Sequence, residues 1–362
     1  MSVSVAVITM ARGPHVTNYL NTLSLMDRVG KVHVCDFSGE VFGFANETLG
    51  AKLSGTSTEV ATCLAKGPYT FVLVALDNRI SPGVIRQALE AGFPVFSEKT
   101  GARTAAEWKP IADFAARRKL LVGMSYPNRY RPSVQEARRL IEAGMLGKLY
   151  GFYVQTIATQ ARLRGPKGNW MFDRETSGGG YLIWLGCHYL DLLRYVAGRE
   201  VTEIGAISER VSDLVFDVED AIALALKLEG GAVGAANFGY YLGPDSRFGG
   251  KQSQLIFWGE RGWIRLQPGD DEDVPVEVYS DHPAFLGVPY RKTSFVHQNV
   301  PRAYGSGWGL AFLNDFLSAC LGECAPPVTA RDAEAVLEII DAAYLAAKER
   351  RVVEVASSHR VR

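Results

Sequence analysis

Thr70-Phe71-Val72-Leu73-Val74-Ala75-Leu76, then Asp77-Asn78-Arg79-Ile80, then Ser81-Pro82-Gly83-Val84-Ile85-Arg86-Gln87-Ala88-Leu89-Glu90 read as a strand, a turn and a helix. The first run is short, apolar and uninterrupted, the pattern of a strand buried on both faces. In the helix, Ser81 is the expected N-cap, Pro82 the first helical residue, and Val84, Ile85, Ala88 and Leu89 the buried stripe. Gly92 stops it, and Pro94 to Ser97 forms the next strand, ending at Glu98-Lys99. A strand, a helix and a second strand so closely spaced imply a right-handed crossover between parallel neighbours.

The same alternation extends outward. Val3 to Thr9 and Lys31 to Asp36 are further apolar strands, separated by Arg12-Gly13-Pro14-His15 and a helix-like stretch through Leu25. Downstream, Thr104 with Glu107 is a capping-box signature, and Leu120 to Met124 is a fifth strand. The result is a parallel, doubly wound sheet, in which ligands bind at the carboxyl ends of the strands. Those ends hold Thr9 to Gly13, Asp36, Leu76 to Ile80, Glu98-Lys99 and Tyr126 to Arg129. Asp36 is placed to accept both hydroxyls of an adenosine ribose. The first turn lacks a G-x-G-x-x-G fingerprint, with Thr9, Ala11 and Pro14 at the glycine positions and Gly13 adjacent.

After Leu149 the alternation stops. Tyr150 to Thr159, Val201 to Glu209, Glu219 to Leu228, Ala232 to Tyr241, Ser253 to Trp258, Trp263 to Leu266 and Val276 to Tyr279 read as strands. Gly230-Gly231 is a hairpin turn, so the second sheet is open and mostly antiparallel, with one face on helices. Between its first two strands lies Ser177-Gly178-Gly179-Gly180-Tyr181-Leu182-Ile183-Trp184-Leu185-Gly186-Cys187-His188-Tyr189-Leu190-Asp191. The three glycines allow a bound molecule to approach the backbone closely. On the helix that follows, Trp184 and His188 fall one turn apart, with Asp191 three residues on and Gly198 as the stop. Histidine titrates near neutrality and suits proton transfer. Arg162-Leu163-Arg164-Gly165-Pro166-Lys167-Gly168-Asn169-Trp170 reads as a basic loop with an aromatic ring, suited either to solvent or to a sugar bearing an anionic group.

Composition excludes several classes. Lys plus Arg equals Asp plus Glu, 39 each, so no global field favours nucleic acid or an anionic membrane. Five cysteines (Cys35, Cys63, Cys187, Cys320, Cys324) without paired spacing fit reduced thiols in a cytoplasmic protein, with no disulfide framework and no metal site. No apolar run reaches the ~18 residues of a membrane helix, and Met1 to Met10 lacks the marks of a signal peptide. Asp270-Asp271-Glu272-Asp273 is a solvated acidic turn, and His282, His297 and His359 are given no role.

Several segments together resemble the glucose–fructose oxidoreductase / inositol dehydrogenase (Gfo/Idh/MocA) family. Ala88 to Lys99 is similar to its helix–strand–E-K-P segment and Asn128-Arg129-Tyr130-Arg131-Pro132 to its N-R-x-x-P turn. Leu140 to Lys148 resembles the helix and glycine turn that follow, Gly178 to Asp191 the G-G-G…D-x-G-x-H-x-x-D helix, and Leu313 to Gly322 and Ala342 to Val353 the last helices. The resemblance implies a Rossmann-type parallel domain (residues 1–125), then an α+β domain (126–362) with a large, mostly antiparallel sheet for substrate binding and oligomerisation. It implies an NAD-dependent oxidoreductase acting on a secondary hydroxyl of a sugar, cyclitol or glycoside derivative, assembled as a homodimer or homotetramer through the second sheet. The alternatives are a relative that retains NAD for hydrolysis or elimination by transient oxidation, and a sugar-binding or regulatory protein whose catalysis has decayed.

By the same resemblance Lys99 and His188 are the catalytic pair, with Lys99 the principal acid/base. The cofactor is assigned to Thr9, Ala11, Arg12, Gly13, Asp36, Leu76, Asn78, Glu98, Lys99 and Asn128. The substrate is assigned to Lys99, Tyr126, Arg164, Trp170, Trp184 and His188. Two departures stand out. Trp184 replaces the carboxylate before the histidine, and Thr100 replaces the proline after the lysine. Because cis costs ~2.5–4 kcal/mol without proline, a trans Lys99–Thr100 bond is expected.

Overall fold

The computed structural model describes residues 2–165, 167–243, 250–268, 273–296 and 299–356. They fall into two units, Met1–Pro127 with Gln298–Glu334, and Asn128–His297 with Ala335–Arg362. The second domain expected over 126–362 is therefore interrupted, because the segment ending at Glu334 packs with the first unit.

In the first unit the described strands are β1 (Val3–Thr9), β2 (Val29–Asp36), β3 (Leu53–Ser57), β4 (Phe71–Ala75), β5 (Val95–Ser97) and β6 (Val122–Met124). All pair in parallel, in the order β3-β2-β1-β4-β5-β6, so the winding reverses between β1 and β4. That is a Rossmann-type sheet with its switch point between those two strands. β1, β4, β5 and β6 are buried almost throughout, which explains their uninterrupted apolar runs. β3, Leu-Ser-Gly-Thr-Ser, is a half-exposed edge that the apolar pattern misses.

The helix Ser306–Cys320 supplies part of this unit's core. Its Phe316 ring lies 5.5 Å from Phe71 and 5.1 Å from Phe96, and Phe312 lies 5.9 Å from Phe96. A Cβ on Gly123 would come within 2.6 Å of the Phe316 ring, so a glycine in β6 makes room for it. The helix Ser81–Glu90 begins one residue earlier than expected, with Ile80 at the cap position. No side chain caps it; Asp77 instead holds the preceding turn, its Oδ1 accepting from Arg79 N at 2.9 Å and Ile80 N at 3.0 Å. Thr104 does cap the helix Ala105–Arg118, accepting from Glu107 N.

The second unit's sheet contains β7 (Leu149–Ala158), β8 (Val201–Glu209), β9 (Ala221–Leu228), β10 (Val233–Gly239), β11 (Lys251–Gly259), β12 (Gly262–Leu266), β13 (Asp273–Ser280), β14 (Tyr290–Val296) and β15 (Val353–Glu354). Their order is β14-β13-β12-β11-β7-β10-β9-β8-β15. Among the described pairings β7–β10 is parallel and the rest are antiparallel. Burial alternates along β9, with Ile222, Leu224, Leu226 and Leu228 inward, as a sheet covered on one face requires. Gly230 and Gly231 make the β9–β10 turn at φ 81 and 89, values that suit glycine. The expected Arg162–Trp170 loop is helical at its start, over Gln160–Arg164, and its Pro166 lies outside the described residues. Also outside them are Asp270, Asp271 and Glu272, the side chain of Asp273, and His297 and His359. His282 caps a short turn, its Nδ1 accepting from Ala284 N at 3.1 Å.

Candidate active site

At the end of β1, Thr9 is wholly buried and its hydroxyl donates to Ala75 O at 3.0 Å, tying β1 to β4 at the switch point. Gly13 packs onto it, since a Cβ there would sit 2.0 Å from Thr9 Oγ1 and 2.9 Å from Ala75 O. The Thr9 side chain is thus spent on the sheet. Ala11, the exposed left-handed Arg12 and Gly13 form the outer part of the turn.

Asp36, at the end of β2, is also fully buried. Its carboxylate accepts from Ser38 N at 3.1 Å, Ser38 Oγ at 3.0 Å and Val41 N at 2.9 Å. Its Oδ2 also lies 3.0 Å from Ser38 Oγ, so both carboxylate oxygens are engaged by the turn that follows β2. Leu76 and Asn78 are buried after β4, on either side of Asp77.

Glu98 and Lys99 end β5, and both side chains are 1% exposed. The Lys99–Thr100 bond is cis, not the expected trans. Enclosing contacts fix the backbone there: Glu98 N donates to Val74 O at 2.8 Å, Ser97 Oγ to Glu98 O at 2.8 Å, and Thr100 Oγ1 to Ala102 O at 2.8 Å. Glu98 is held by residues that the sequence reading did not single out. Its Oε2 accepts from the Tyr19 hydroxyl. Its Oε1 lies 3.1 Å from His15 Nδ1 and 4.0 Å from Lys99 Nζ. Tyr304 packs its ring against both His15, at 4.9 Å, and Tyr19, at 4.6 Å. Burial first, then the Glu98 charge, holds the Tyr19 phenol well above its ordinary 10.0, so it remains a donor. No local pattern links these residues, which meet only through the fold. Tyr126 is fully buried, with its backbone N donating to Met124 O at 2.8 Å.

In the second unit the glycine triplet serves packing rather than a ligand. Gly178, at φ 87, ends the short helix Arg174–Ser177. A Cβ on Gly179 would fall 2.0 Å from the Tyr344 hydroxyl, and one on Gly180 would fall 1.9 Å from Glu219 O. Glu219 then clamps the start of the next helix, accepting from Gly180 N at 2.8 Å, Leu182 N at 3.0 Å and Tyr344 Oη at 2.9 Å. The sequence read Glu219 only as the beginning of a strand. The available signal was a pair of carboxylates, Glu219-Asp220, directly before a strand of alternating burial.

Leu182–Gly186 is a π-helical turn, and the α-helix Cys187–Ala197 follows it. The wider turn breaks the α spacing assumed between Trp184 and His188. Trp184 packs with two other residues assigned to the substrate and with Gln160, which the sequence did not single out. Trp170 meets it edge-on at 5.5 Å, the Arg164 guanidinium lies 5.6 Å from its ring, and its Nε1 donates to Gln160 Oε1 at 3.1 Å. Arg164, Trp170 and Trp184 therefore form one wall, and buried His188 stands on the helix that continues from it. Asp191 is committed elsewhere, paired with Arg129 at 2.6 Å between side chains that are 6% and 1% exposed. Asn128 belongs to this second unit and accepts from Arg131 Nε at 2.9 Å. Among the described residues no group of three or more His, Cys, Asp or Glu side chains could hold a metal ion, and no helix is long and apolar enough to cross a membrane.

A Rossmann-type sheet with an acid at the end of β2 and a buried lysine at the end of β5, followed by a large open sheet, is the architecture of a two-domain oxidoreductase. Residues 134–265 match the GFO/IDH/MocA C-terminal domain. The chain is 24% identical over 331 residues to the rhizopine catabolism protein MocA of Rhizobium meliloti, covering 87% of this chain and 91% of that protein. It is 33% identical over 128 residues to the D-glucoside 3-dehydrogenase of Escherichia coli K12, 35% of each chain. An oxidoreductase from Agrobacterium radiobacter, solved with NAD+, L-tartaric acid and magnesium, shares the fold at a TM-score of 0.85 and 17% identity, over 99% of this chain and 100% of that one. The chain is thus similar to oxidoreductases of the Gfo/Idh/MocA family, through the C-terminal domain match and through MocA along most of its length.

Proposed function

We propose that this protein is an NAD-dependent dehydrogenase that oxidises a secondary hydroxyl of a sugar, cyclitol or glycoside derivative. The observation that carries the reading is Lys99, buried at the carboxyl end of β5 with Glu98 beside it, on the sheet that reverses between β1 and β4. The activity named for the Escherichia coli relative and the NAD+ held by the Agrobacterium radiobacter structure support it. The residues fit such a cofactor. Asp36 puts a carboxylate at the end of β2, where a ribose hydroxyl would be accepted, and Phe37-Ser38-Gly39 offers no cation for a 2′-phosphate. Ala11 to Gly13, Leu76 and Asn78 line the strand ends beside it.

When bound, the nicotinamide supplies the hydride acceptor. Lys99 takes the hydroxyl proton as hydride leaves carbon, a contribution of ~10²–10⁴-fold in rate. His188 is the second proton or positioning group. Trp184 and Trp170 offer aromatic faces to a sugar ring, and Arg164 suits an anionic substituent. Incubating the protein with NAD and a panel of methyl glycosides, inositols and aldoses tests the reading. NADH formation supports it, whereas no reduction across the panel counts against it.

The assembly proposed is a homodimer or homotetramer through the uncovered face of the second sheet. One register row across that sheet runs Tyr290, Tyr279, Trp263, Trp258, Gly151, Val233. Tyr290, Tyr279, Trp258 and Val233 are each at least 40% exposed, an apolar band of the kind that marks an interface. Light scattering on the purified chain should report a multiple of 39.6 kDa, and Trp258→Asp should reduce it.

A further inference from the structure

We infer that His15, acting through the Glu98 carboxylate, carries the proton taken up by Lys99 out to solvent; the inference rests on the dehydrogenase reading. Oxidation releases one proton per turnover, and a lysine enclosed at 1% exposure has to pass it on. The two oxygens of Glu98 have different tasks. Oε2 is fixed by the Tyr19 hydroxyl, whose raised pKa keeps it a donor and removes it as a carrier. Oε1 is shared: Lys99 Nζ stands 4.0 Å from it, and His15 Nδ1 stands 3.1 Å from it on the other side. A rotation of the lysine side chain closes the longer gap.

His15 reaches water, with 24% of its side chain exposed against 1% for Glu98. The titratable groups around it include, among the described residues, Glu98 and Lys99 at the end of β5, Tyr19 on the helix Val16–Leu25, and Tyr304 across its ring. The transfers balance. The substrate O–H bond breaks and its proton joins neutral Lys99 Nζ while the C–H pair leaves as hydride. A proton then passes from the ammonium to Glu98 Oε1, and from that carboxyl to His15 Nδ1. Nδ1 accepts in the tautomer that carries hydrogen on Nε2; the imidazolium releases the Nε2 proton to water, and exchange of the ring proton from Nδ1 to Nε2 through water restores the starting tautomer and charge. Tyr304 restrains the ring that must hold this position.

The test compares wild type with His15→Asn and His15→Ala, using whichever glycoside or inositol of the panel the wild type oxidises. Asparagine tolerates the left-handed backbone of His15, at φ 55, and cannot carry a proton. Both variants should lose about five- to tenfold in kcat in dilute buffer with KM for NAD within about twofold, and added imidazole should restore the rate. Variants that turn over like wild type, or a loss that imidazole leaves unchanged, would overturn the relay alone. A wild type inactive on every probe removes the dehydrogenase reading and the relay together. A second readout needs no cofactor: nitrogen-15 resonances of the His15 ring should shift in both Glu98→Gln and Lys99→Met. Resonances indifferent to Lys99→Met would show that the carboxylate does not join the two groups.

Discussion

Arg129 and Asp191 form a buried two-pronged ion pair, Nη2 to Oδ1 at 2.6 Å and Nε to Oδ2 at 2.9 Å. The pair joins the Asn128–Pro132 turn to the helix that carries His188. Arg129 also lies 4.9 Å from the Tyr195 ring on the same helix. Removing one partner strands the other charge away from water. Arg129→Met and Asp191→Asn should each cost about 3–5 kcal/mol, and the double variant Arg129→Met/Asp191→Asn should cost less than their sum. Urea unfolding followed by tryptophan fluorescence measures this. Single losses below about 1 kcal/mol would mean the pair is not holding the helix.

Gly180→Ala should be among the most harmful single-methyl additions in the second unit. Its Cβ would fall 1.9 Å from a backbone oxygen, Glu219 O, which no side-chain rotation can relieve. Overpacking of this kind typically costs ~1–3 kcal/mol. Gly144→Ala, with nothing within 4 Å of its Cβ but φ at +73, is a useful comparison, since its cost comes from the backbone alone. A melting temperature for Gly180→Ala equal to that of wild type would contradict the packing described.

Burial holds the Glu219 carboxyl above its ordinary 4.5, against the opposing bonds from Leu182 N, Gly180 N and Tyr344. The folded chain therefore binds that proton more tightly than the unfolded chain. Its stabilising contribution is complete below the ordinary value and is lost as pH rises through the raised one. The stability difference between wild type and Glu219→Gln should accordingly shrink as pH climbs from 4.5 through that window. A difference that widens with pH would reverse the assignment.

The parts of the fold legible in the sequence are those where burial is one- or two-sided and continuous. β1, β4, β5 and β9 carry their positions as plain apolar runs or alternation. β14, Tyr-Arg-Lys-Thr-Ser-Phe-Val, is an exposed edge with no buried face to impose a pattern, and β15 is two residues long. The return of Ser306–Cys320 to the first unit leaves no local mark either, since Phe312 and Phe316 read as ordinary helix stripe wherever they dock. The same division runs through the candidate site. Lys99, Trp170, Trp184 and His188 stand in recognisable segments, whereas His15, Tyr19 and Tyr304 are drawn around Glu98 from positions up to 289 residues apart in numbering (15 to 304). The glycine triplet was readable as a constraint but not as to its cause, because Tyr344 and Glu219 arrive from elsewhere in the chain.

Asp36→Ala should weaken NAD binding and narrow the preference over NADP, since it removes the carboxylate that would accept from the ribose and the charge that repels a 2′-phosphate. It should also loosen the turn to Val41, so Asp36→Asn is the paired variant that keeps part of the hydrogen bonding. Fluorescence titration with both cofactors measures the ratio. A wild type that prefers NADP would overturn the role given to Asp36.

The central claim is that Lys99 is the group that takes the substrate proton. The most direct measurement is the single-turnover rate of NADH formation by Lys99→Met beside wild type, with NAD affinity determined on the same preparations. Lys99→Met should fall by at least ~10²-fold with NAD affinity within a few-fold, and His188→Ala should fall less, by ~10–10²-fold. Lys99→Met that reduces NAD at the wild-type rate, while His188→Ala is inactive, would contradict the account and transfer the proton to the histidine.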